Sequence, residues 1–163
     1  MSRFQLALNV SNLDEAIDFY SRLFGAEPAK VRPGYANFAI AEPPLKLVLI
    51  EGAGEPGSIN HLGVEVDSTD EVATATTRLA SQGMATDVEE ATTCCYAVQD
   101  KVWVDGPDSS RWEIYTVLAD AVGPEGLGGD ERCCTPDLMQ IAPPTPVTVG
   151  APAEACTPGG GCC

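Results

Sequence analysis

The feature that most constrains the fold is an internal repeat: shifting the sequence by 56 residues aligns its first half with its second. The matched positions are Leu6/Leu62, Leu8/Val64, Val10/Val66, Asp14/Asp70, Glu15/Glu71, Arg22/Arg78 and Leu23/Leu79. Both copies begin with apolar residues at every second position, which is typical of a half-buried strand, and then change to the period of a helix. We therefore expect each copy to begin with a strand and a helix.

Short sequence signals mark where these two helices begin and end. At each start a serine stands three residues before an acidic residue, which is the spacing of a capping box, and a glycine follows each apolar stripe as a stop signal. These residues are Ser11, Asp14 and Gly25 in the first copy, and Ser68, Glu71 and Gly83 in the second.

Three short strand-like runs follow each helix. They lie at about 27–30, 35–41 and 46–51 in the first copy, and at about 86–90, 95–105 and 111–117 in the second. Each copy is therefore a βαβββ unit, and a unit this short cannot bury its own sheet. We expect two modules, about 4–52 and 59–118, to form one α+β domain over residues 1–122, with a cup-shaped mixed sheet around one concave surface.

The composition changes at about residue 122. Residues 123–163 contain eight glycines, seven prolines and five of the seven cysteines, and show neither helical nor strand periodicity. We therefore expect a flexible tail. Its exposed thiols are candidates for capturing a metalloid: Cys133, Cys134, Cys156, Cys162 and Cys163.

The overall charge excludes several classes of partner. The formal net charge is −15, whereas a nucleic-acid-binding protein needs a basic face to neutralise phosphates, and an anionic membrane surface attracts basic segments. No apolar run reaches the roughly 18–20 residues that span a bilayer. Nor does the N-terminus have a basic stretch followed by an apolar region. We expect a soluble, cytoplasmic protein that binds neither nucleic acid nor membrane.

The cysteines are unusual because six of the seven form adjacent pairs. Adjacent cysteines make a strained disulfide, and a disulfide framework would spread its cysteines along the chain. In a reducing compartment, paired thiols are better explained as soft ligands. The alternative is chance pairing in a cysteine-rich tail, which explains one adjacent pair more readily than three.

Three polar residues occupy related places in the repeat. Gln5 lies in the first strand, and His61, the only histidine, lies at the matching place in the second copy. Glu113 stands between apolar neighbours in the last strand, where the first copy has Val48. An amide oxygen, an imidazole and a carboxylate on one wall could hold a divalent metal facially, and this favours a non-haem Fe(II) site. Alternatively, the histidine is a structural hydrogen-bonding residue and the glutamine is merely exposed.

The pattern resembles the vicinal-oxygen-chelate superfamily, which includes glyoxalase I, bleomycin and fosfomycin resistance proteins and extradiol dioxygenases. The residues that carry the resemblance are Asp14 to Tyr20, Leu23-Phe24-Gly25, Pro28, Asn60-His61-Leu62-Gly63-Val64, Gly106-Pro107-Asp108 and Trp112-Glu113-Ile114-Tyr115. The resemblance implies paired βαβββ modules with metal ligands on the first strand of each module and on the last strand. Gln5, His61 and Glu113 match those positions.

Within this superfamily, the paired thiols select one branch. Glyoxalase I would need a second carboxylate where Val48 stands, fosfomycin-type enzymes need a basic anion site, and extradiol dioxygenases have a histidine in place of Gln5. A thiolate pair is a soft chelate for trivalent arsenic. The combination of the three polar residues with Cys94-Cys95 is similar to ArsI-type carbon–arsenic lyases and to the related CadI-type cadmium-induced proteins. For both sulfurs to grip one arsenic, residues 93–96 must form a loop or bulge.

This resemblance implies Fe(II)- and O2-dependent cleavage of the carbon–arsenic bond in trivalent organoarsenicals, such as methylarsenite and reduced aromatic arsenicals, with release of arsenite. Gln5, His61 and Glu113 would hold Fe(II) and provide the catalytic site, and Cys94 and Cys95 would bind the substrate. Tyr96 and Lys101 are candidates for gating or orientation, although an ordinary hairpin explains them equally well. A non-catalytic thiol protein that binds arsenite or cadmium, or another glyoxalase- or dioxygenase-type protein, stays open, as does the choice between monomer and homodimer.

Overall fold

Two consecutive βαβββ units make up the computed structural model of this chain, which describes residues 2–94 and 96–121. The first unit consists of β1 (Arg3–Val10), α1 (Leu13–Phe24), β2 (Lys30–Arg32), β3 (Tyr35–Ile40) and β4 (Leu45–Glu51). The second consists of β5 (Ile59–Glu65), α2 (Thr69–Ser81), β6 (Thr86–Cys94), β7 (Ala97–Asp105), a 3-10 turn (Pro107–Ser109) and β8 (Arg111–Asp120). The predicted α+β architecture of two βαβββ modules is confirmed.

All eight strands belong to one mixed sheet with the order β2-β3-β4-β1-β5-β8-β7-β6. The modules meet where β1 pairs antiparallel with β5, and each of these strands pairs parallel with the last strand of its own module. The sheet curls strongly. Tyr35 on β3 and Tyr96 beyond β6 lie near opposite edges of the sheet in strand order, yet the centroids of their rings are only 5.6 Å apart. The predicted cup is therefore present.

The two helices cover the convex face of this sheet. Alternation along β1 directs Leu6 and Leu8 outward, where they pack with α1 against Phe38 and Leu47. In the second module, α2 packs its apolar stripe against Val102 and its neighbours. Successive side chains of a strand point to opposite faces of the sheet. Those on the convex face pack against the helices, and those between them line the concave face.

The helix boundaries agree with the sequence signals at three of four places. Gly25 ends α1 in a left-handed conformation, with φ of 61°. Ser68 caps α2 and accepts from the backbone N–H of Glu71, and Gly83 follows the cap residue Gln82 with φ of 75°. The predicted start at Ser11 is wrong: Asn12 is the cap, because its extended backbone lets its side chain accept from Glu15 N at 3.1 Å.

Several predicted strand bounds are also wrong. The run at 27–30 is not a strand, and β2 begins at Lys30; Pro28 has no N–H to give to a ladder. Strand β6 continues through Cys94, and β7 begins at Ala97 rather than at residue 95. Within the part of the chain that the structure describes, no helix is long and apolar enough to span a membrane. The predicted tail, with its five cysteines, and Cys95 lie outside the described residues.

Candidate functional site

The strand registers bring the three candidate ligands onto the concave face next to one another. On β5, Gly63 pairs with Gln5 on one side and with Glu113 on the other. A Cβ at Gly63 would lie 2.9 Å from Glu113 Cγ and 3.4 Å from Gln5 Nε2, so only glycine leaves room for the two side chains to meet above it. His61 faces the same space from two residues earlier on β5.

The polar ends of these three side chains converge. Gln5 Nε2 lies 3.0 Å from His61 Nε2 and 2.5 Å from Glu113 Oε1, and the imidazole and carboxylate atoms are 3.3 Å apart. The residues are only 3%, 6% and 3% exposed, respectively. The structure therefore brings Gln5, His61 and Glu113 together in a buried cluster, and their role as metal ligands stays a prediction.

A hydrogen-bonded chain from the first module fixes the tautomer of His61. Asn60 donates through Nδ2 to Asn9 Oδ1 at 2.9 Å, which leaves its amide oxygen 2.7 Å from His61 Nδ1. Nδ1 must therefore carry the proton, and the lone pair of Nε2 faces Gln5 and Glu113. Neutral imidazole with a free Nε2, held by an outer hydrogen bond, is the form that ligates a metal.

Glu113 is ionised in spite of its burial. Burial raises the pKa of this carboxyl, but the Lys101 ammonium, 3.1 Å from Oε2, lowers it, and the net pKa lies below the ordinary value. Lys101 is 1% exposed. From the sequence, Lys101 is a candidate for gating or orientation. In the structure its ammonium lies directly against the Glu113 carboxylate.

The amide of Gln5 is held by a second network, which the sequence did not predict. Tyr115 Oη lies 2.5 Å from Gln5 Oε1 and 2.9 Å from Glu65 Oε2. Glu65 in turn pairs with Lys46 at 3.1 Å and Arg3 at 3.0 Å. Burial, followed by the charges of Glu65 and Glu113, raises the pKa of Tyr115, so the phenol is neutral and has one proton to donate.

The Tyr115 hydroxyl has one proton but faces two acceptors, Gln5 Oε1 and Glu65 Oε2, and this bears on whether the cluster fits a metal. If the Gln5 amide rotates by half a turn, its NH2 donates to Tyr115 and Tyr115 donates to Glu65, so this single proton suffices for the Tyr115 network. The amide oxygen then joins His61 Nε2 and Glu113 Oε1 as three acceptors facing one point, a donor set that suits a borderline or hard divalent cation. Among residues 2–94 and 96–121, no three His, Cys, Asp or Glu side chains lie close enough together to hold a metal ion. The third donor beside His61 and Glu113 is therefore the Gln5 amide.

Part of the first-module side of the cup is apolar. Ala7, Tyr35, Val48 and Ile50 form a buried cluster to which Ala53 and Tyr96 add. The registers place Val48 beside Ala7 just as Glu113 is placed beside Gly63, so Val48 and Glu113 occupy equivalent positions of the two modules. The concave face therefore combines the polar, charged cluster with an apolar patch.

The hairpin formed by β6 and β7, here called the thiol hairpin (residues 86–105), closes the rim of the cup. Cys94 ends β6, pairs with Ala97 and is 5% exposed. Tyr96 lies in the turn with φ of 67°, and it contacts the first module through a hydrogen bond from its hydroxyl to the Pro33 carbonyl at 3.3 Å. Lys30 also donates to the Tyr96 carbonyl. Tyr96 is thus a rim residue that joins the two modules.

The Cys94 side chain shares the concave face with Tyr35. The pKa of Tyr35 is raised to about 12, mainly by burial, with smaller contributions from Cys94 and Glu113 and in spite of the hydrogen bond from Asn37, which lowers it. Among the residues that the sequence missed, Asn9 alone had a signal: it continues the every-second-residue pattern of polar side chains that starts with Gln5 on β1.

Comparison with known proteins identifies a family and similar sequences. The sequence model of the Glyoxalase/Bleomycin resistance protein/Dioxygenase superfamily matches residues 3–114. A trivalent organoarsenical cleaving enzyme from Thermomonospora curvata is 61% identical over 137 residues, which are 83% of this chain and 90% of that protein. The cadmium-induced protein CadI of Mycobacterium tuberculosis is 64% identical over 121 residues, which are 74% of this chain and 80% of that protein.

Solved structures agree on the fold. The Mn(II)-bound glyoxalase from Novosphingobium aromaticivorans superposes with a TM-score of 0.55 at 19% identity, over 74% of this chain and 42% of that one. Homoprotocatechuate 2,3-dioxygenase from Arthrobacter globiformis gives 0.53 at 18% identity, over 73% and 36%. The resemblance drawn from the sequence is confirmed.

Proposed function

The chain belongs to the glyoxalase/bleomycin resistance protein/dioxygenase superfamily, and from that premise we propose that it is an enzyme that cleaves the carbon–arsenic bond of trivalent organoarsenicals. The observation that carries this proposal is the 61% identity to the organoarsenical cleaving enzyme over 90% of that protein's length. The cluster of Gln5, His61 and Glu113 beside the thiol hairpin supports it, because it provides a ligand set and a thiol on one concave face.

We propose that Gln5, His61 and Glu113 hold one divalent metal, and that Fe(II) is the active one. When bound, the metal would supply the binding and activation of O2. The protein's own contribution is positional: Asn60 keeps the imidazole in the ligating tautomer, Tyr115 orients the amide, and Lys101 keeps the carboxylate ionised. Two of the three ligands are neutral, so the ligand set has a net charge of minus one.

In this proposal Cys94 and Cys95 bind the arsenic of the substrate. Each arsenic–sulfur bond replaces an arsenic–hydroxyl bond, and the thiol proton leaves with the hydroxyl as water. The organic group then stays on arsenic as its third substituent. For methylarsenite, the substrate plus O2 balances atom for atom to arsenite plus formaldehyde. Free thiols require a reducing compartment, which supports a cytoplasmic location.

The test is arsenite release from methylarsenite by the Fe(II)-loaded protein in air and under nitrogen. Release in air alone, with loss after chelation and in the variant His61→Ala, is the expected result. An Asp108→Ala variant in the exposed turn before β8 is a matched control that should behave as the parent. Equal release without oxygen, or unchanged release from His61→Ala, contradicts the proposal.

The 64% identity to the cadmium-induced protein favours a second candidate function, namely a thiol protein that binds cadmium or arsenite without chemistry. The two candidates differ in what leaves the protein. A lyase turns over many substrate molecules per chain, whereas a binding protein saturates at a fixed number of metal or arsenic atoms and leaves the carbon–arsenic bond intact.

A further inference from the structure

A one-residue bulge in β6 decides which face of the sheet carries Cys94. We propose that Asp100 holds this bulge and is thereby a positioning residue that keeps the Cys94 thiol on the concave face, where the arsenical binds. This inference rests on the proposed function for the identity of the ligand, but the geometry behind it involves only strand register and hydrogen bonds.

The register of the thiol hairpin shows the bulge directly. Glu89 pairs with Lys101, and the next pair is Thr92 with Gln99. The hairpin thus advances three residues on β6 and two on β7. An extra residue in one strand moves all later side chains of that strand to the opposite face.

Which face is concave is fixed by β7. Lys101 contacts Glu113, and Trp103 packs edge-on against His61 at 5.4 Å between ring centroids, so both lie on the concave face. Gln99 and Ala97 follow at two-residue intervals on the same strand and share that face. Because Cys94 pairs with Ala97, its side chain is concave-facing as well.

Without the bulge the outcome would be reversed. Glu89 is concave-facing, since its carboxylate accepts from Trp103 Nε1 at 3.1 Å. Unbroken alternation from Glu89 would direct Thr93 inward and Cys94 outward, toward the face that the helices cover. The inward position of the thiol therefore depends on the extra residue at 90–91.

Asp100 is the group that accommodates this extra residue. Asp100 is 8% exposed, and its carboxylate accepts from the backbone N–H of Ala91 at 2.7 Å and from Thr69 Oγ1 at 2.5 Å. Ala91 has φ of 47°, in the left-handed region that residues other than glycine disfavour. One buried side chain therefore satisfies the N–H of the bulge and anchors the bulge to the first residue of α2.

The experiment uses the full chain with the five tail cysteines replaced by serine, so that Cys94 and Cys95 are the remaining thiols. The probe is phenylarsenite, titrated by calorimetry into metal-free protein. Two changes should impair binding: Asp100→Ala, which removes the acceptor, and deletion of Ala91, which removes the extra residue. In parallel, Mn(II) affinity is measured at the cluster on β1, β5 and β8, and Asp105→Ala at the exposed end of β7 is the matched control.

We expect Asp100→Ala to weaken phenylarsenite binding about 10-fold or more and deletion of Ala91 to remove chelation, while Mn(II) affinity changes less than about 3-fold and Asp105→Ala matches the parent. Adding Ala91→Gly to Asp100→Ala should restore most of the affinity, because glycine adopts positive φ without strain. A role in general stability would instead lower phenylarsenite and Mn(II) affinity together.

Parental phenylarsenite affinity in both Asp100→Ala and the Ala91 deletion overturns the inference, as does an equal fall in Mn(II) affinity. If Asp100→Ala does not fold, the deletion of Ala91 still tests the inference. It removes the bulge itself, together with the N–H that donates to Asp100, and so changes the face on which Cys94 lies. Failure of the proposed function is a separate result: the parent would bind phenylarsenite but release no arsenite, whereas the bulge is tested by the ratio of affinities between variants.

Discussion

The two modules share a backbone plan but differ at the hairpin that follows each helix. In the first module, Arg32 pairs with Tyr35 across the two-residue turn Pro33-Gly34. In the second, the equivalent pair is Glu89 with Lys101, and eleven residues, 90–100, lie between them. That extension carries Cys94 and Tyr96 and forms the rim of the cup.

The same contrast holds on the floor of the cup. Equivalent positions carry Val48 and Glu113 on the last strands, and Tyr35 and Lys101 on the strands beside them. The repeat thus supplies a symmetric scaffold, and the chemistry that we propose is concentrated where the second module departs from the first. Each prediction below tests one of these departures, starting with the one of largest expected effect.

Replacing Glu113 by valine, the first-module residue, should abolish metal binding. The only carboxylate of the cluster disappears, so we expect metal affinity to fall by more than the roughly 10–100-fold that loss of an outer-shell partner costs. The variant also leaves Lys101 buried without this carboxylate, at a cost of about 3–5 kcal/mol of stability. Calorimetric titration with Mn(II) measures the affinity, and urea unfolding measures the stability.

The double variant Glu113→Val with Lys101→Met separates these two effects. It should recover much of the stability, since no cation is left buried beside an apolar side chain, but it should recover none of the metal affinity. Metal binding at parental strength in either variant would show that Glu113 is not a ligand.

Shortening the thiol hairpin to the first-module length is the second way to break the contrast. Replacing residues 90–100 by Pro-Gly joins Glu89 to Lys101 through the turn that module one uses at Pro33-Gly34. Because the cluster lies on β1, β5 and β8, we expect Mn(II) affinity to stay within about 10-fold, whereas chelation of phenylarsenite in the tail-serine background disappears. Loss of both activities together would instead mean that the hairpin supports the whole cup.

The contrast between the modules also explains what the sequence could predict. The 56-residue offset gave His61 the position equivalent to Gln5, and alignment of the two last strands gave Glu113 the position equivalent to Val48, because strand alternation carries over from one copy to the other. The bulge at Ala91 could not be predicted in this way, since it has no counterpart in the first module. Nor could the contacts of Tyr115 and Lys101 with the cluster, because they depend on how far the sheet curls.

Tyr115 occupies the position that Ile50 has in the first module, and removal of its hydroxyl should loosen the Gln5 amide. In Tyr115→Phe the amide loses the partner that orients it, so we expect about 10-fold weaker Mn(II) binding with little change in fold. Tyr35→Phe, on the first-module side of the cup, is the control and should bind Mn(II) like the parent. Equal affinities of the two variants would remove Tyr115 from the orienting network.

The smallest effect concerns Glu65, which stands where the repeat places the neutral Asn9. Burial raises the pKa of Glu65, but Lys46, Arg3 and Tyr115 outweigh it, so the pKa lies below the ordinary value of 4.5. Burial also lowers the pKa of Lys46 in spite of the attraction of Glu65, so this lysine depends on its partner.

A depressed carboxyl pKa means that the unfolded chain binds more protons than the folded one just below pH 4.5. The stabilisation by Glu65 is therefore complete above that pH and is lost as the pH falls through the folded-state pKa. In metal-free protein, we expect the parent to exceed Glu65→Gln in free energy of unfolding by about 1 kcal/mol at pH 6. Urea unfolding should show this difference shrinking between pH 5 and about pH 3, whereas Asn9→Asp in the first module should not reproduce it. A difference that is constant with pH would mean that hydrogen bonding, not charge, is what Glu65 contributes.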